Sequence, residues 1–191
     1  MKNNSKNSAI VKSIVLAVLG AVVLLGFYLM VTRSHKSPST EEYILTVIDE
    51  ITTTNLEKNY PADPRMVVEL YGKIMKAMYK EGYTDEQQDR MIEVLGGIMD
   101  DELMANQSNF AKSIKDEVKE KKEGDYSIST YVVQTREPEQ VKVGGKKMCT
   151  VDCQFYLRKG STGVPIYYQF VLRRDDNGKW KILGWEALDN N

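Results

Sequence analysis

The stretch that decides the fold is residues 147–159, KMCTVDCQFYLRK, because apolar and polar side chains alternate along it. One set comprises Cys149, Val151, Cys153, Phe155 and Leu157, and the other comprises Thr150, Asp152, Gln154, Tyr156 and Arg158. Successive side chains of a strand point to opposite faces of a sheet, so this period of two indicates a half-buried strand. We therefore predict a strand whose apolar face lies on a core and whose polar face points outward.

Three further strands are predicted around this one, separated by turn residues. They are residues 126–135 (YSISTYVVQT), 165–174 (PIYYQFVLRR) and 179–188 (KWKILGWEAL). Asn177-Gly178 is a hairpin signal, and Gly144-Gly145 and residues 160–163 are also predicted turns. Strands that follow one another closely in the chain favour a curved, mainly antiparallel sheet of four strands.

Helices are predicted before Gly124, where the apolar period is about 3.6 residues. Asp63-Pro64 begins one of them, because Asp is a preferred N-cap and Pro is preferred at the first helical position. This helix is expected to end near Gly82, since glycine commonly follows the last helical turn.

Thr84 and Gln87 have capping-box spacing and begin the next helix, which is predicted to run to about Ala105. A shorter helix ending at Gly124 follows, with three side chains inward: Phe110, Ile114 and Val118. Helices followed by an antiparallel meander predict an α+β fold, with the helices packed on one face of the sheet.

Residues 13–32, SIVLAVLGAVVLLGFYLMVT, are twenty residues without a charge between Lys12 and Arg33. At ~1.5 Å per residue a helix of this length spans about 30 Å, the thickness of the hydrocarbon layer. The alternative is a cleaved signal peptide, whose apolar region is usually about 7–15 residues long and ends in small residues. We expect an uncleaved transmembrane helix between a cytoplasmic tail, 1–12, and a polar linker, 33–40.

A membrane-proximal helix is expected over 41–59, and an α+β domain over 60–191. Residues 1–36 contain five Lys and Arg and no acid, whereas the remaining 21 basic and 27 acidic residues leave the rest of the chain at −6. Because basic residues favour the cytoplasmic side, we expect the N-terminus in the cytoplasm and the domain outside the cell membrane. A mildly acidic domain lacks the clustered Lys and Arg that phosphate contacts need, so no nucleic-acid partner is expected.

The run 175–182, DDNGKWKI, is similar to the last hairpin of the nuclear-transport-factor-2-like superfamily, in which a turn leads into a strand beginning Trp-x-Ile. The order of helices, strand, long loop and three-strand meander also resembles the cystatin-like cone of that superfamily. The resemblance covers about residues 60–190. It implies a cone of helices on a curved sheet, which in some members holds a small molecule while Asp and Tyr act on protons.

Residues 57–61 (EKNYP), Pro64-Arg65, 68–71 (VELY) and 83–86 (YTDE) carry a second resemblance, to a family of single-pass membrane proteins from clostridial, Gram-positive bacteria. No function follows from it. The overall plan is also similar to the membrane-anchored scaffold subunit of type IV secretion systems, although an architecture does not determine a function.

Cys149 and Cys153 share a strand face about 13 Å apart, which is too far for a disulfide, whose Cα atoms lie within ~7 Å. Two buried core residues are expected, with a bridge to a partner chain as the alternative. No metal or cofactor is expected, because the single histidine, His35, lies in the linker. The acidic runs 100–102 and 175–176 are expected to be solvated surface.

No nucleophile–base pair can be assembled without His35, so catalysis is not expected. The weak candidate for a base is Asp152, and the tyrosines that could line a pocket or an interface are Tyr126, Tyr131, Tyr156 and Tyr168. The favoured hypothesis is a non-catalytic, membrane-anchored binding or assembly module. Its expected partners are the bilayer, through residues 13–32, and either another protein or a second copy of the chain. The alternatives are a small-molecule-binding or acid–base enzyme cone, and a scaffold subunit of a secretion or conjugation complex.

Overall fold

The computed structural model describes residues 47–80 and 82–188 of the chain. The predicted tail 1–12, transmembrane helix 13–32 and linker 33–40 lie outside the described residues. Across the part of the chain that is described, no helix combines the length and the apolarity needed to cross a membrane.

Helices occupy the first half of the described chain, as the 3.6-residue period predicts. Residues 47–52 are helical, and they are followed by α1 Pro64–Met78, α2 Asp85–Gly97, α3 Asp101–Ala105 and α4 Phe110–Glu123. Both predicted N-terminal caps are confirmed. The Asp63 carboxylate accepts a hydrogen bond from the Met66 amide at 3.0 Å, and Thr84 and Gln87 form the reciprocal bonds of a capping box.

The helix predicted from Thr84 to Ala105 is two helices in the structure. α2 ends at Gly97, and Met99 then forms an isolated β-bridge. The Asp100 carboxylate accepts a hydrogen bond from the Glu102 amide at 2.9 Å and caps α3. The apolar period continues across this break, so periodicity alone predicts one helix.

Two other helix ends also come earlier than predicted. α1 ends at Met78 with Tyr79 as its C-cap, rather than near Gly82. The helix predicted over 41–59 is helical only through residue 52 within its described part. The Thr53 hydroxyl donates to the Asp49 carbonyl at 2.7 Å, which is the local side-chain bonding that competes with continued helix.

One sheet of five strands follows the helices: β1 Tyr126–Val133, β2 Val141–Val143, β3 Lys146–Lys159, β4 Thr162–Arg174 and β5 Trp180–Leu188. The strands pair antiparallel in the order β1-β3-β4-β5, and β2 pairs with the start of β3. The prediction of four strands misses β2. The Gly144-Gly145 turn joins β2 to β3, and both glycines have positive φ, +57° and +84°. The predicted α+β class, with helices on a mainly antiparallel sheet, is confirmed.

The core lies between the helices and the inner face of β3 and β4. Val151 pairs with Phe170 and Cys149 with Leu172, and all four are buried. Buried helix residues cover them: Val67, Ile74 and Met78 of α1, Met91 and Leu95 of α2, and Phe110, Ile114 and Val118 of α4, of which the last three are predicted to point inward. Burial along β3 therefore follows the alternation predicted for residues 147–159. The exception is Gln154, which is buried although it lies on the polar face.

A β-bulge in β1 brings Tyr131 to the inner face of the sheet. The register shifts between Ile128 and Thr130, so Ile128 and Tyr131 face the same side. Tyr131 then packs against Phe155, with 6.0 Å between the ring centroids. α1 approaches it closely at Gly72, where a β-carbon would lie 2.7 Å from the Tyr131 ring.

The segment between α2 and α3 is fastened to the sheet at the start of β5. The Asp100 amide donates to the Ile182 carbonyl at 2.8 Å, and the Ile182 amide donates to the Ile98 carbonyl at 2.9 Å. Arg173 of β4 donates to the Asp100 carboxylate through Nε at 3.0 Å and through a second guanidinium nitrogen, and it donates to Glu102 at 2.8 Å. These bonds raise the pKa of Arg173.

The expectation that residues 100–102 form a solvated acidic surface is wrong for Asp100, which is 4% exposed. A carboxylate loses most of its hydration when it is buried, so it must be paired and hydrogen-bonded. Arg173 and the Glu102 amide satisfy that requirement.

The first prediction concerns this buried pair. We expect Arg173→Met to lower the free energy of unfolding by about 2–4 kcal/mol, because it leaves Asp100 buried without a counter-charge. The control is Arg158→Met, at an exposed position of β3, which should change stability by less than about 0.5 kcal/mol. Denaturant unfolding of the full chain in detergent measures both variants. Equal small effects would show that the pair is not needed for stability.

Candidate functional site

Asp152 lies on the outer face of the sheet, away from the helices. Its carboxylate accepts a hydrogen bond from the Gln169 carboxamide at 2.9 Å, and its backbone amide donates to the Thr135 hydroxyl at 2.8 Å. Beside it, the Gln154 carboxamide bonds to Gln134 and to Tyr167. Asp152 is therefore joined to a network of neutral amides and hydroxyls on this face.

The four predicted tyrosines do not form one site. Tyr168 lies on the inner face and lines a cleft, and Tyr131 packs on Phe155 and borders a different groove. Tyr156 lies on the outer face and is 37% exposed. Tyr126 lies at the start of β1, where the ammonium groups of Lys121 and Lys159 lie 5.6 and 5.0 Å from its ring centroid.

A cleft of about 200 Å³ lies between the helices and the inner face of the sheet, and we call it the aromatic cleft. Its lining residues are Tyr71, Met75 and Tyr79 of α1, Glu117 and Lys121 of α4, and Ile128, Phe155, Leu157, Ile166, Tyr168, Phe170 and Trp185 of the sheet. Five of these side chains are aromatic rings that contact one another. The Tyr71 centroid lies 5.0 Å from that of Phe170 and 5.5 Å from that of Trp185.

Glu117 is the acidic residue that lines the cleft. The Tyr79 hydroxyl donates to its carboxylate at 2.8 Å. Burial, and after it the charge of Glu117, raises the pKa values of Tyr71, Tyr79 and Tyr168. These tyrosines stay protonated at neutral pH, so they can donate hydrogen bonds but do not act as bases.

A larger groove of about 990 Å³ lies between residues 47–61 and the outer side of α1. Lys58, Lys73, Lys76 and Lys80 line it together with Glu50 and Glu69, and Lys73 is paired with Glu50.

Residues 175–176 serve a turn rather than a metal site. The Asp175 carboxylate accepts hydrogen bonds from the amides of Asn177 and Lys179, and Asp176 is paired with Lys146. Among the residues that the structure describes, no group of three or more His, Cys, Asp or Glu side chains is arranged to hold a metal ion.

The sequence pattern does not show which residues line the cleft. Tyr71 is one of the buried residues of α1, and Tyr79 and Glu117 carry no motif. Trp185 lies in the last predicted strand without any sign that it faces a cavity. Aromatic residues occur in α1, β3, β4 and β5, but only the packing of these elements shows which of the rings meet.

The fold and the cleft define a class: an α+β domain in which helices and one face of an antiparallel sheet enclose a small aromatic site. Residues 1–185 match the family described as "Domain of unknown function (DUF6715)", so the chain belongs to that family. No curated protein matches the chain.

Among solved structures, the chain is similar to the "Crystal structure of intermembrane space region of chloroplast protein ARC6", at 14% identity over 65% of this chain and 92% of that chain. The TM-score is 0.38, which is too low to carry an argument. These comparisons do not support the resemblance to the nuclear-transport-factor-2-like superfamily or to the clostridial family.

Both cysteines are free and buried, as the alternation predicts. Burial raises the pKa of the Cys149 thiol to about 11 and that of the Cys153 thiol to about 12. A nucleophile must be a thiolate, so these protonated thiols serve the core.

The second prediction is a loss of stability at high pH. Thiols of the unfolded chain ionise near pH 9, whereas the folded thiols stay protonated to about pH 11 or 12. The folded state therefore binds more protons in that interval, and its stability falls as the pH rises above about 9. In this pH range the denaturant concentration at the unfolding midpoint of the full chain should fall with rising pH. It should fall less steeply for the double variant Cys149→Ala/Cys153→Ala than for wild type. Parallel curves would contradict the burial of the thiols.

Proposed function

We propose that this protein is a membrane-anchored, non-catalytic binding module whose folded domain holds a small ligand in the aromatic cleft. The observation that carries the proposal is a cavity of about 200 Å³ walled by Tyr71, Phe155, Tyr168, Phe170 and Trp185, with Glu117 beside it. Ligand sites are typically concave and mostly apolar, with a few polar groups that set orientation. The aromatic cleft has that composition.

We further propose that the anchor is residues 13–32, that the N-terminus is cytoplasmic and that the domain lies outside the cell membrane. The uncharged run between Lys12 and Arg33 and the basic residues that flank it support this part of the proposal.

Binding is favoured over acid–base catalysis by where the carboxylates lie. Asp152, the candidate base, is on the outer face and bonded to Gln169, so it does not line the cleft. Glu117 does line the cleft, but it is exposed and accepts the Tyr79 hydroxyl. A carboxylate that serves as a general base near neutral pH is usually buried, because burial raises its pKa toward the working pH.

The third prediction is ligand binding that is confined to the cleft. The chain has two tryptophans: Trp185 in the cleft and Trp180, which is 5% exposed in the core. In the full chain in maltoside micelles, some water-soluble amines, alcohols or acids of fewer than about ten heavy atoms should shift the Trp185 indole N–H signal and leave that of Trp180 unchanged.

The matched variants for this test differ only in position. Leu157→Trp fills the cleft and should abolish the shifts, whereas Leu183→Trp lies in β5 outside the lining and should leave them intact. If no compound shifts the Trp185 signal, or if the shifts survive Leu157→Trp, the cleft is not a binding site.

The second candidate function is assembly with another copy of the chain through the outer face of the sheet. Val132, Val141, Val143 and Tyr156 are all exposed, and strand pairing places them on this face, around the Gln154 and Gln169 carboxamides. An interface between two copies must be complementary to itself, and neutral amides with apolar side chains satisfy this without opposite charges. A scaffold role in a secretion-type complex would use the same surface.

The fourth prediction tests this assembly. Light scattering of the full chain in detergent should give a dimer, and Val132→Lys/Tyr156→Lys should give a folded monomer. Glu120→Lys/Ala111→Lys, at two exposed positions of α4, is the control and should stay dimeric. A monomeric wild type would rule out self-assembly through this face, and cross-linked pull-down from membranes would then report other partners.

A further inference from the structure

We propose that the aromatic cleft takes a small organic ammonium ion, whose positive head lies against the aromatic rings and is balanced by Glu117. This inference rests on the proposed binding function of the cleft and specifies the charge class of its ligand.

The first argument is the chemistry of the walls. Six aromatic rings line the cleft, and Tyr71 contacts three of the others, at centroid distances of 6.3 Å to Phe155, 5.0 Å to Phe170 and 5.5 Å to Trp185. The face of an aromatic ring carries negative charge density and attracts a cation within about 6 Å of its centroid. Trp provides the strongest such attraction, and Trp185 is partly exposed at the cleft, so its ring is accessible.

The second argument is the charge of the cleft. Glu117 stands beside three tyrosines, and the Tyr79 hydroxyl binds its carboxylate at 2.8 Å. The charge of Glu117 also contributes to the raised pKa values of Tyr71, Tyr79 and Tyr168, after the larger contribution of burial. An anion in the cleft would meet the same repulsion that disfavours a tyrosinate, whereas a cation would be attracted.

Lys121 also lines the cleft and opposes this charge, but its position limits the effect. Its ammonium group lies 5.6 Å from the centroid of the Tyr126 ring, and Tyr126 is not one of the residues that line the cleft. Tyr71 and Trp185, in contrast, belong to the middle of α1 and to β5. The positive head of the ligand is therefore expected at the Trp185 end, and the Lys121 end favours a neutral or negatively charged tail.

The third argument is size. Ligand pockets for drug-sized molecules usually measure about 300–1,000 Å³. The aromatic cleft, at about 200 Å³, is smaller than that range. It suits a compact head such as a trimethylammonium group with a short tail rather than a large ring system.

The test uses three probes of one shape and three charges: choline, 3,3-dimethylbutan-1-ol and 3,3-dimethylbutanoate. Each is titrated into the full chain in maltoside micelles while the two tryptophan indole signals are followed by NMR. We expect choline to shift the Trp185 signal and to bind about three- to tenfold more tightly than the neutral alcohol, with the carboxylate weaker than both.

Two variants test whether the negative charge of Glu117 sets the affinity for choline. Glu117→Gln keeps an oxygen that can accept the Tyr79 hydroxyl and removes the charge, so choline should lose about three- to tenfold in affinity while the neutral alcohol is unaffected. Glu120→Gln, at an exposed position one turn further along α4, is the matched control and should bind choline like wild type.

The outcomes distinguish this inference from the function on which it rests. Equal binding of choline and the alcohol, or choline binding that Glu117→Gln leaves unchanged, would overturn the ammonium assignment while the cleft stays a binding site. If none of the three probes shifts the Trp185 signal, the ammonium assignment is overturned as well. The broader fragment set of the third prediction then decides whether the cleft binds any small molecule.

Discussion

The apolar face that β3 and β4 share is the constraint on which the rest of the structure depends. Val151, Cys153, Phe170 and Leu172 are excluded from water because helices cover them. A shift of β3 by one residue would exchange every side chain between the faces and place Asp152 in the core. A buried carboxylate without a partner is costly, so the burial pattern specifies both the register of β3 against β4 and the face on which the helices pack.

The helical layer is held to that sheet firmly at one end. Residues 98–100 pair with Ile182, Arg173 binds Asp100, and the Tyr60 hydroxyl donates to the Trp180 carbonyl at 2.7 Å. These bonds lie at the end of β4 and the beginning of β5. Ile166, Tyr168 and Trp185 lie toward the opposite ends of the same two strands, and there the helices and the sheet leave the aromatic cleft. The hydrogen bonds at one end of the sheet and the cleft at the other end are therefore both consequences of how the helices pack on β4 and β5.

The two faces of β3 and β4 give the sheet two different kinds of surface. The inner face meets α1 and α4 and supplies rings to a cleft with an acidic residue. The outer face carries neutral amides, exposed valines and Tyr156, which suit contact with a protein surface. A ligand site and an assembly surface can thus occupy one small domain without sharing side chains.

The sequence by itself determined the local structure, because its signals act over a few residues. The caps at Asp63 and Thr84 are bonds within a single turn, and the alternation over 147–159 is a property of one strand. The break at residues 98–100 and the bulge after Ile128 were not predictable, because both depend on pairing with a distant part of the chain. Residues 98–100 bond to Ile182, and the bulge is a shift of β1 against β3. Only the tertiary structure decided that Glu117 lines the same cleft as Tyr71 and Trp185 while Asp152 does not, since three separate elements supply those three side chains and their packing on the sheet brings them together.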